Sequence, residues 1–395
     1  MARIYKKKTK QGTRWGYRIY MGTDPATGKD IRKAKEGFLK EKDAKLAASV
    51  VERQLADDEY IQPSKMLFSD VSSDWERYYA QDAKESSQRA RGIALKRILS
   101  ELGDKPIQRI SKKHYQDTID TLAEKFSYNY MDSIHSTAHM VFAYAVETKL
   151  IKENPASGAK LPKKKVTVEE LENESSIQDT FMEREELEEF LTVAKHEGLD
   201  GDLLTFTMLA YTGLRIGELL ALKWSEVDTE KHTLRVIRTY YNPSNNKKNF
   251  QLLTPKTESS IRTITIDPVL VGLLHTHKQE QDTIASDNPF YNDQGFIFAG
   301  NEGYPKPIKH MAIRLQRLLQ KTSIKKHITT HSFRHTHTSL LIEANAHIKE
   351  IQDRLGHSDI NTTMDIYAHM TQSHKKEAST KFSNLMENLS NTLSD

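Results

Sequence analysis

ITTHSFRHTHTSLLIEANAHIKEIQDRLGHSDINTTMDIY, residues 328–367, is the stretch on which the reading of this chain turns. It sets His331, Arg334, His357 and Tyr367 in the order His-x-x-Arg, Leu-Gly-His, Tyr. Ser332 to Ala344 carries helical apolar spacing, with Phe333, Leu340 and Leu341 as core contacts. His331 and Arg334, three apart, share a face at the start of that helix. Ile348 to Leu355 reads as a second short helix, stopped by Gly356. His357 opens a loop, Asn361 to Met364 restarts a helix, and Tyr367 follows. Two imidazoles, a guanidinium and a phenol suit attack on a phosphodiester. Arg holds phosphate oxygens in a fork, His moves protons and Tyr supplies an oxygen nucleophile. Each piece alone has a blander reading: a packing tyrosine, a solvated helix face, a helix stop followed by a polar residue. Their joint order within one short stretch separates the two readings.

That order resembles the C-terminal signature of the tyrosine recombinases, the family of phage and transposon integrases. The resemblance requires a second arginine upstream. Leu203 to Tyr211 is an apolar helix, broken at Thr212-Gly213 and restarted by Leu214-Arg215-Ile216-Gly217-Glu218-Leu219. Thr-Gly-Leu-Arg-x-Gly-Glu-Leu is the most family-specific string in the chain. Glu218 is the natural internal partner of Arg215, since an unpaired guanidinium in a buried helix is costly. A purely structural Arg215–Glu218 pair is the competing reading. Thr233–Tyr241 and Gln251–Ile266 alternate like strands around a polar turn from Asn242 to Asn249. The family carries a lysine on such a strand pair. Lys256 fits that place, with Lys247 and Lys248 as rivals. Arg235, Arg238 and Arg262 read as phosphate or surface charges, and His310 and Arg314 as further DNA contacts. Pro268–Thr276 and Tyr304–Leu319 read as helices, with Phe296–Phe298 a strand between them. Ser332 stands where the family commonly has Asp.

The three histidines His331, His335 and His337 invite a metal reading. The nearest acid is Glu343, no His-Glu-x-x-His occurs, and Arg334 sits among them, so a cation site is disfavoured.

The 395 residues suffice for two or three domains. A net charge of only +4 puts the weight on where the charges lie. There are no cysteines, which excludes disulfides, thiolate metal sites and cysteine nucleophiles. With no apolar run of membrane-spanning length and no signal-type segment, a cytoplasmic protein is expected. Residues 1–18 hold seven Lys or Arg and no acid. Thr13–Met21 and Lys29–Ala34 read as strands around an Asp24–Gly28 turn, and Lys40–Asp58 as a helix. The first eight residues read as a tail that orders on phosphate. Phe68–Ala83, Ser86–Leu102, Lys112–Glu124 and Tyr128–Leu150 read as helices with basic faces. Lys163-Lys164-Lys165 marks a linker.

The expected fold is multidomain and mainly α with small β-sheets. An arm-type DNA-binding domain, a three-stranded sheet plus helix, spans 1–62. A helical core-binding domain spans 63–160, a linker 161–177, and a mixed α+β catalytic domain with a C-terminal tail helix 178–395. The resemblance implies the catalytic set Arg215, Lys256, His331, Arg334, His357 and Tyr367. It implies a site-specific recombinase that cleaves and rejoins DNA through a 3′-phosphotyrosine and a Holliday junction, with no metal or other cofactor. The expected DNA contacts are Lys6, Lys7, Lys8, Arg14, Arg18, Arg89, Lys96, Lys163, Lys164 and Lys165. The partners implied are double-stranded core and arm sites, a tetramer on DNA, and an excisionase or host DNA-bending protein. The alternatives are a type IB topoisomerase-like relaxing enzyme and a non-catalytic DNA-binding regulator. The tail from His374 to Leu393 puts Phe382, Leu385, Met386, Leu389 and Leu393 on one stripe, which either packs in cis or docks on a neighbouring protomer.

Overall fold

A computed structural model describes residues 2–9, 12–23, 28–57, 60–162, 180–255, 260–356 and Met364. They fall into two compact units, divided between Val166 and Thr167.

The first unit opens with an antiparallel sheet of β1 (Arg3–Thr9), β2 (Gly12–Thr23) and β3 (Asp30–Phe38), in that order. Arg3–Thr9 is therefore a strand and not a tail. Its basic side chains do not oppose pairing, because Ile4 lies opposite Tyr17 on the covered face while its neighbours alternate outward. Helix α1 (Glu41–Ala56) lays Ala48 and Val51 on Tyr17 and Ile19. Four helices follow: α2 (Phe68–Tyr79), α3 (Glu85–Leu102), α4 (Lys112–Ala123) and α5 (Tyr128–Glu147). Their apolar stripes meet in a core of Phe68, Trp75, Leu95, Ile98, Ile119, Ile134, Val141 and Phe142. Tyr115 is fully buried there, and its hydroxyl meets His135 Nδ1 at 2.9 Å.

The second unit begins with α6 (Arg184–Glu197), α7 (Asp202–Thr212) and α8 (Ile216–Leu220). Helix α7 is apolar nearly all round, so it is buried nearly all round. Phe206 on α7 packs with Phe190 of α6 and with Phe333, ring centroids 5.3 and 5.5 Å away. Short strands follow: β4 (Val227–Asp228), β5 (Thr233–Val236), β6 (Thr239–Tyr241), β7 (Gln251–Leu253) and β8 (Arg262–Thr265). The two long strands expected from alternation are split. β5 pairs with β8 and β4, whereas β6 pairs with β7 in a separate ladder. The helices α9 (Pro268–Asp287), α10 (Ile308–Leu319), α11 (Ser332–Glu343) and α12 (Ile348–Leu355) complete the unit. Helix α9 runs well past the expected Thr276. Its polar second half is anchored by Gln281, which donates to the Phe296 carbonyl at 2.9 Å and accepts from Trp224 Nε1. Phe296–Phe298 is buried but makes only single bridges at its ends, to Lys223 and from Ala299 to Pro305. It is buried core filler with a turn at Ile297 and Phe298, and not a sheet strand. No helix among the described residues is long and apolar enough to cross a membrane.

Candidate active site

Arg215, His331 and Arg334 gather at the C-terminal end of α7. Gly213 caps that helix in the left-handed region, at φ +63°. A Cβ on it would lie 2.6 Å from the Leu355 side chain and 2.7 Å from His337. Glycine is therefore what lets α11 and α12 close on α7. Arg215 follows as the N-cap of α8. Glu218 accepts from the Arg215 backbone N–H at 3.1 Å and from its Nη1 at 2.9 Å. The Arg215 side chain remains 41% exposed, so a ligand can reach it.

Arg334, in the first turn of α11, is buried. Its Nη1 donates to the Gly213 carbonyl at 2.8 Å and its Nη2 to the Leu355 carbonyl at 2.7 Å. These bonds tie α7 to the last turn of α12. Burial, then the nearby charge of Arg215, lowers the Arg334 guanidinium to about 9, with Glu218 opposing. It stays a cation at neutral pH. His331 stands at the head of α11, its ring perpendicular to that of His335 at 4.9 Å. Partial desolvation, then His335, Arg334 and Arg215, lowers its imidazole to about 4. His331 is thus neutral at physiological pH and keeps a lone pair for a proton. Burial alone would raise the Glu218 carboxyl, but Arg262 and Arg215 outweigh it and hold it below the usual carboxylate range.

Three further residues complete the cluster. Arg262 is not the surface or phosphate charge expected from sequence. It is buried on β8 and donates to Glu218 Oε2 at 3.0 Å, to the Arg354 carbonyl at 2.7 Å and to the Ser260 carbonyl at 3.1 Å. Its strand burial alternates in phase with Ile264, and that period was the available signal. His337 donates from Nδ1 to the Ala210 carbonyl at 2.8 Å and accepts at Nε2 from Arg354 Nε at 3.1 Å. Burial and Arg354 push it down to about 3. Both its ring nitrogens are engaged internally, which leaves it no lone pair for a cation. Arg354 also reaches the Tyr211 carbonyl, at 3.1 Å. Arg314 and Arg238 are internal as well, paired with Asp202 at 2.5 Å and Glu226 at 2.6 Å.

Of the other residues singled out from sequence, Lys256, His357, Tyr367, Lys163, Lys164, Lys165 and the tail stripe lie outside the described residues. Lys247 pairs with Glu302 at 2.5 Å, and Lys248 lies over the Tyr304 ring at 5.8 Å. In the first unit, the strand register places Arg3, Lys7, Arg14 and Arg18 on the face of the sheet opposite α1, with Tyr5 among them. Lys7 pairs there with Glu36 at 2.6 Å. Lys6 and Lys8 alternate to the other face, where Lys6 lies over Trp15. Arg89 and Lys96 are exposed on α3. Among the described residues, Arg215, Arg262 and Arg334 share one field with the single carboxylate Glu218. Such a surplus of guanidinium over carboxylate favours a phosphate-type anion.

The chain is similar to known integrases along most of its length. A profile of the phage integrase family matches residues 180–374, one of an arm DNA-binding domain residues 4–55, and one of the SAM-like N-terminal domain of phage integrases residues 67–123. The chain is 31% identical over 318 residues to the prophage ps2 probable integrase of Lactococcus lactis subsp. lactis, spanning 79% of this chain and 81% of that one. It is 27% identical over 375 residues to the ICEBs1 integrase of Bacillus subtilis, spanning 93% and 96%. The solved structure of the Tn1549 transposon integrase with transposon right end DNA superposes with a TM-score of 0.64 at 20% identity, over 80% of this chain and 100% of that one. At that identity the likeness is one of fold.

Proposed function

This chain belongs to the phage integrase family, the tyrosine recombinases, and we propose that it cuts and rejoins double-stranded DNA at the ends of a mobile element through a 3′-phosphotyrosine at Tyr367. The observation that carries the reading is the meeting of Arg215, Arg334 and a neutral His331 around Glu218. In the proposed cleavage, the Tyr367 oxygen attacks the scissile phosphorus, and the bond to the 5′ oxygen breaks. The products are a 3′-phosphotyrosyl link and a 5′-hydroxyl. Arg215 and Arg334 stabilise the charge that builds on the non-bridging oxygens. His331 takes or orients the phenol proton, and His357 donates to a phosphate oxygen. Lys256 protonates the leaving oxygen. The engagement of Lys247 with Glu302 and of Lys248 with Tyr304 supports Lys256 over its rivals. The covalent link conserves the phosphodiester energy, so a second strand's 5′-hydroxyl reverses the step and joins a new partner by way of a Holliday junction.

In this scheme residues 1–62 bind arm sites, 63–160 and 178–395 clamp the core site, and 161–177 links them. The open sheet face with Lys7, Arg14 and Arg18 suits the arm duplex, and Arg89 and Lys96 suit the core duplex, by charge and exposure. The protein acts in the cytoplasm as a tetramer on DNA, assisted by an excisionase or a DNA-bending protein. The tail stripe of Phe382 and Leu385 seats on a neighbouring protomer. An apolar groove of about 990 Å³, lined by Leu187, Leu191, Leu203, Leu273, Leu340 and Leu341, is a suitable acceptor. A nicked suicide duplex carrying a core site tests the proposal. The protein should become covalently attached to the DNA without added metal, and purely non-covalent binding would refute it.

A further inference from the structure

Arg262 bonds to the mounts of two different proposed catalytic segments while sitting on the strand that follows a third. Its Nη2 reaches Glu218 Oε2 at 3.0 Å, and the other oxygen of that carboxylate holds Arg215 Nη1 at 2.9 Å. Its Nε reaches the Arg354 carbonyl at 2.7 Å. The next carbonyl along, Leu355, is the one that Arg334 Nη2 grips at 2.7 Å. His357 follows two residues later in sequence. Arg262 Nη1 reaches the carbonyl of Ser260 at 3.1 Å, a residue four positions after Lys256 in sequence. All three of its guanidinium nitrogens donate to protein oxygens, at Arg354, Ser260 and Glu218.

Charge balance does not explain this arrangement. Glu218 already has a partner in Arg215, and a second buried guanidinium adds desolvation and cation–cation repulsion. Apolar residues commonly replace such groups with no loss of stability, whereas buried ionic groups can specify one geometry. A planar fork with donors in three directions fixes three segments at once, which a lysine ammonium on a flexible stem does not do.

We propose that Arg262 is a positioning residue for DNA cleavage: it sets the aim of Arg215 through Glu218 and the seat of the α12 C-terminus through the Arg354 carbonyl. The inference rests on the function proposed above. It acts on the phosphate through Arg215 and takes no proton and no charge from the substrate itself.

The test uses the full chain with Arg262→Lys and Arg262→Gln. Single-turnover cleavage of a nicked core-site duplex is measured at saturating protein, beside core-site gel shifts and thermal midpoints. Core binding should stay within about twofold, because the side chain's donors are spent on protein oxygens. Cleavage should fall by roughly 100-fold for Arg262→Gln, the order expected for a misplacement of about 1 Å, and by less for Arg262→Lys. The decisive readout repeats the measurement with a methylphosphonate at the scissile position. That linkage lacks the negative oxygen that Arg215 stabilises, so the deficit of the variants should shrink on it. An unchanged rate on the native phosphate would overturn the proposal. So would an equal deficit on both linkages, which marks a merely structural role. Should Arg262→Gln fail to fold, Arg262→Lys decides by the same ratio. If the wild-type chain forms no adduct at all, the recombinase reading falls first and this inference with it. If the wild type forms an adduct and the variants match it, only this inference falls.

Discussion

Replacing Glu218 by Gln should destabilise the catalytic half of the chain by about 3 kcal/mol. Among the described residues, Glu218 is the single carboxylate that pairs with both Arg215 and Arg262. The Arg262 side of this pair is buried, with side chains 6% and 5% exposed, whereas the Arg215 side is 41% exposed and screened by water. The penalty should therefore come mainly from Arg262, left as a buried cation without its counter-charge. Gln keeps the volume and one accepting oxygen, which places the effect at the lower end of roughly 3–5 kcal/mol for breaking a buried pair. For a unit of this size that is a fall of about 6–12 °C in Tm. The pH dependence has a definite sign. The folded Glu218 carboxyl lies below its ordinary value, held there against burial by Arg262 and Arg215. Its contribution is thus fully present above the unfolded value of about 4.3 and is lost as pH falls through the depressed folded value. The gap between wild type and Glu218→Gln should close in that acid range. Of the three tryptophans, Trp15, Trp75 and Trp224, only Trp224 lies in the same half as Glu218. Urea unfolding followed by Trp224 fluorescence, with Trp15→Phe and Trp75→Phe in both proteins, isolates the relevant transition. A loss below about 1 kcal/mol, or a gap that widens on acidification, would refute the reasoning.

Three further outcomes are expected. Arg334→Ala should slow single-turnover cleavage by at least roughly 100-fold, the effect of losing about 3 kcal/mol of charge stabilisation, while core-site affinity changes little; wild-type cleavage would reduce Arg334 to a structural tie between Gly213 and Leu355. Deleting residues 1–62 should abolish gel shifts on arm sites and leave cleavage of a core-site suicide duplex intact, and undiminished arm binding would move that function elsewhere. Truncation after Lys376 should weaken assembly on DNA in sedimentation and deregulate cleavage with single-site binding preserved, whereas an unchanged tetramer with unchanged cleavage would place the tail stripe in cis.

The parts of the fold that the sequence made legible are those where one local rule dominates. The helix bounds Ile348–Leu355 follow from apolar period and a glycine stop, and Gly356 does adopt the left-handed cap at φ +67°. The Thr-Gly-Leu-Arg string located Arg215 because Gly213 and Glu218 are each required by the geometry around it. What escaped depends on contacts distant in sequence. Arg262 looked like a surface cation because charge outweighed its in-phase alternation with Ile264, and its partners lie 44 and 92 residues away. The second half of α9 has no apolar stripe, so no helical period could extend it past Thr276. Phe296–Phe298 has the composition of a strand, but it pairs only through isolated bridges, Phe296 with Lys223 and Ala299 with Pro305, which do not extend into a ladder. Arg3–Thr9 looked like a tail because lysines dominate it, although Ile4 already marked the covered face.

Identifying the amino acid that carries the DNA tests the central claim most directly. The adduct trapped on a nicked core-site duplex is digested with protease and nuclease, and the nucleotide-bearing peptide is sequenced by mass spectrometry. The label should sit on Tyr367 through a 3′-phosphate, with a free 5′-hydroxyl on the released strand, and Tyr367→Phe should bind the duplex but yield no adduct. A label on any other residue, a 5′-phosphate linkage, or an adduct from Tyr367→Phe would contradict the account.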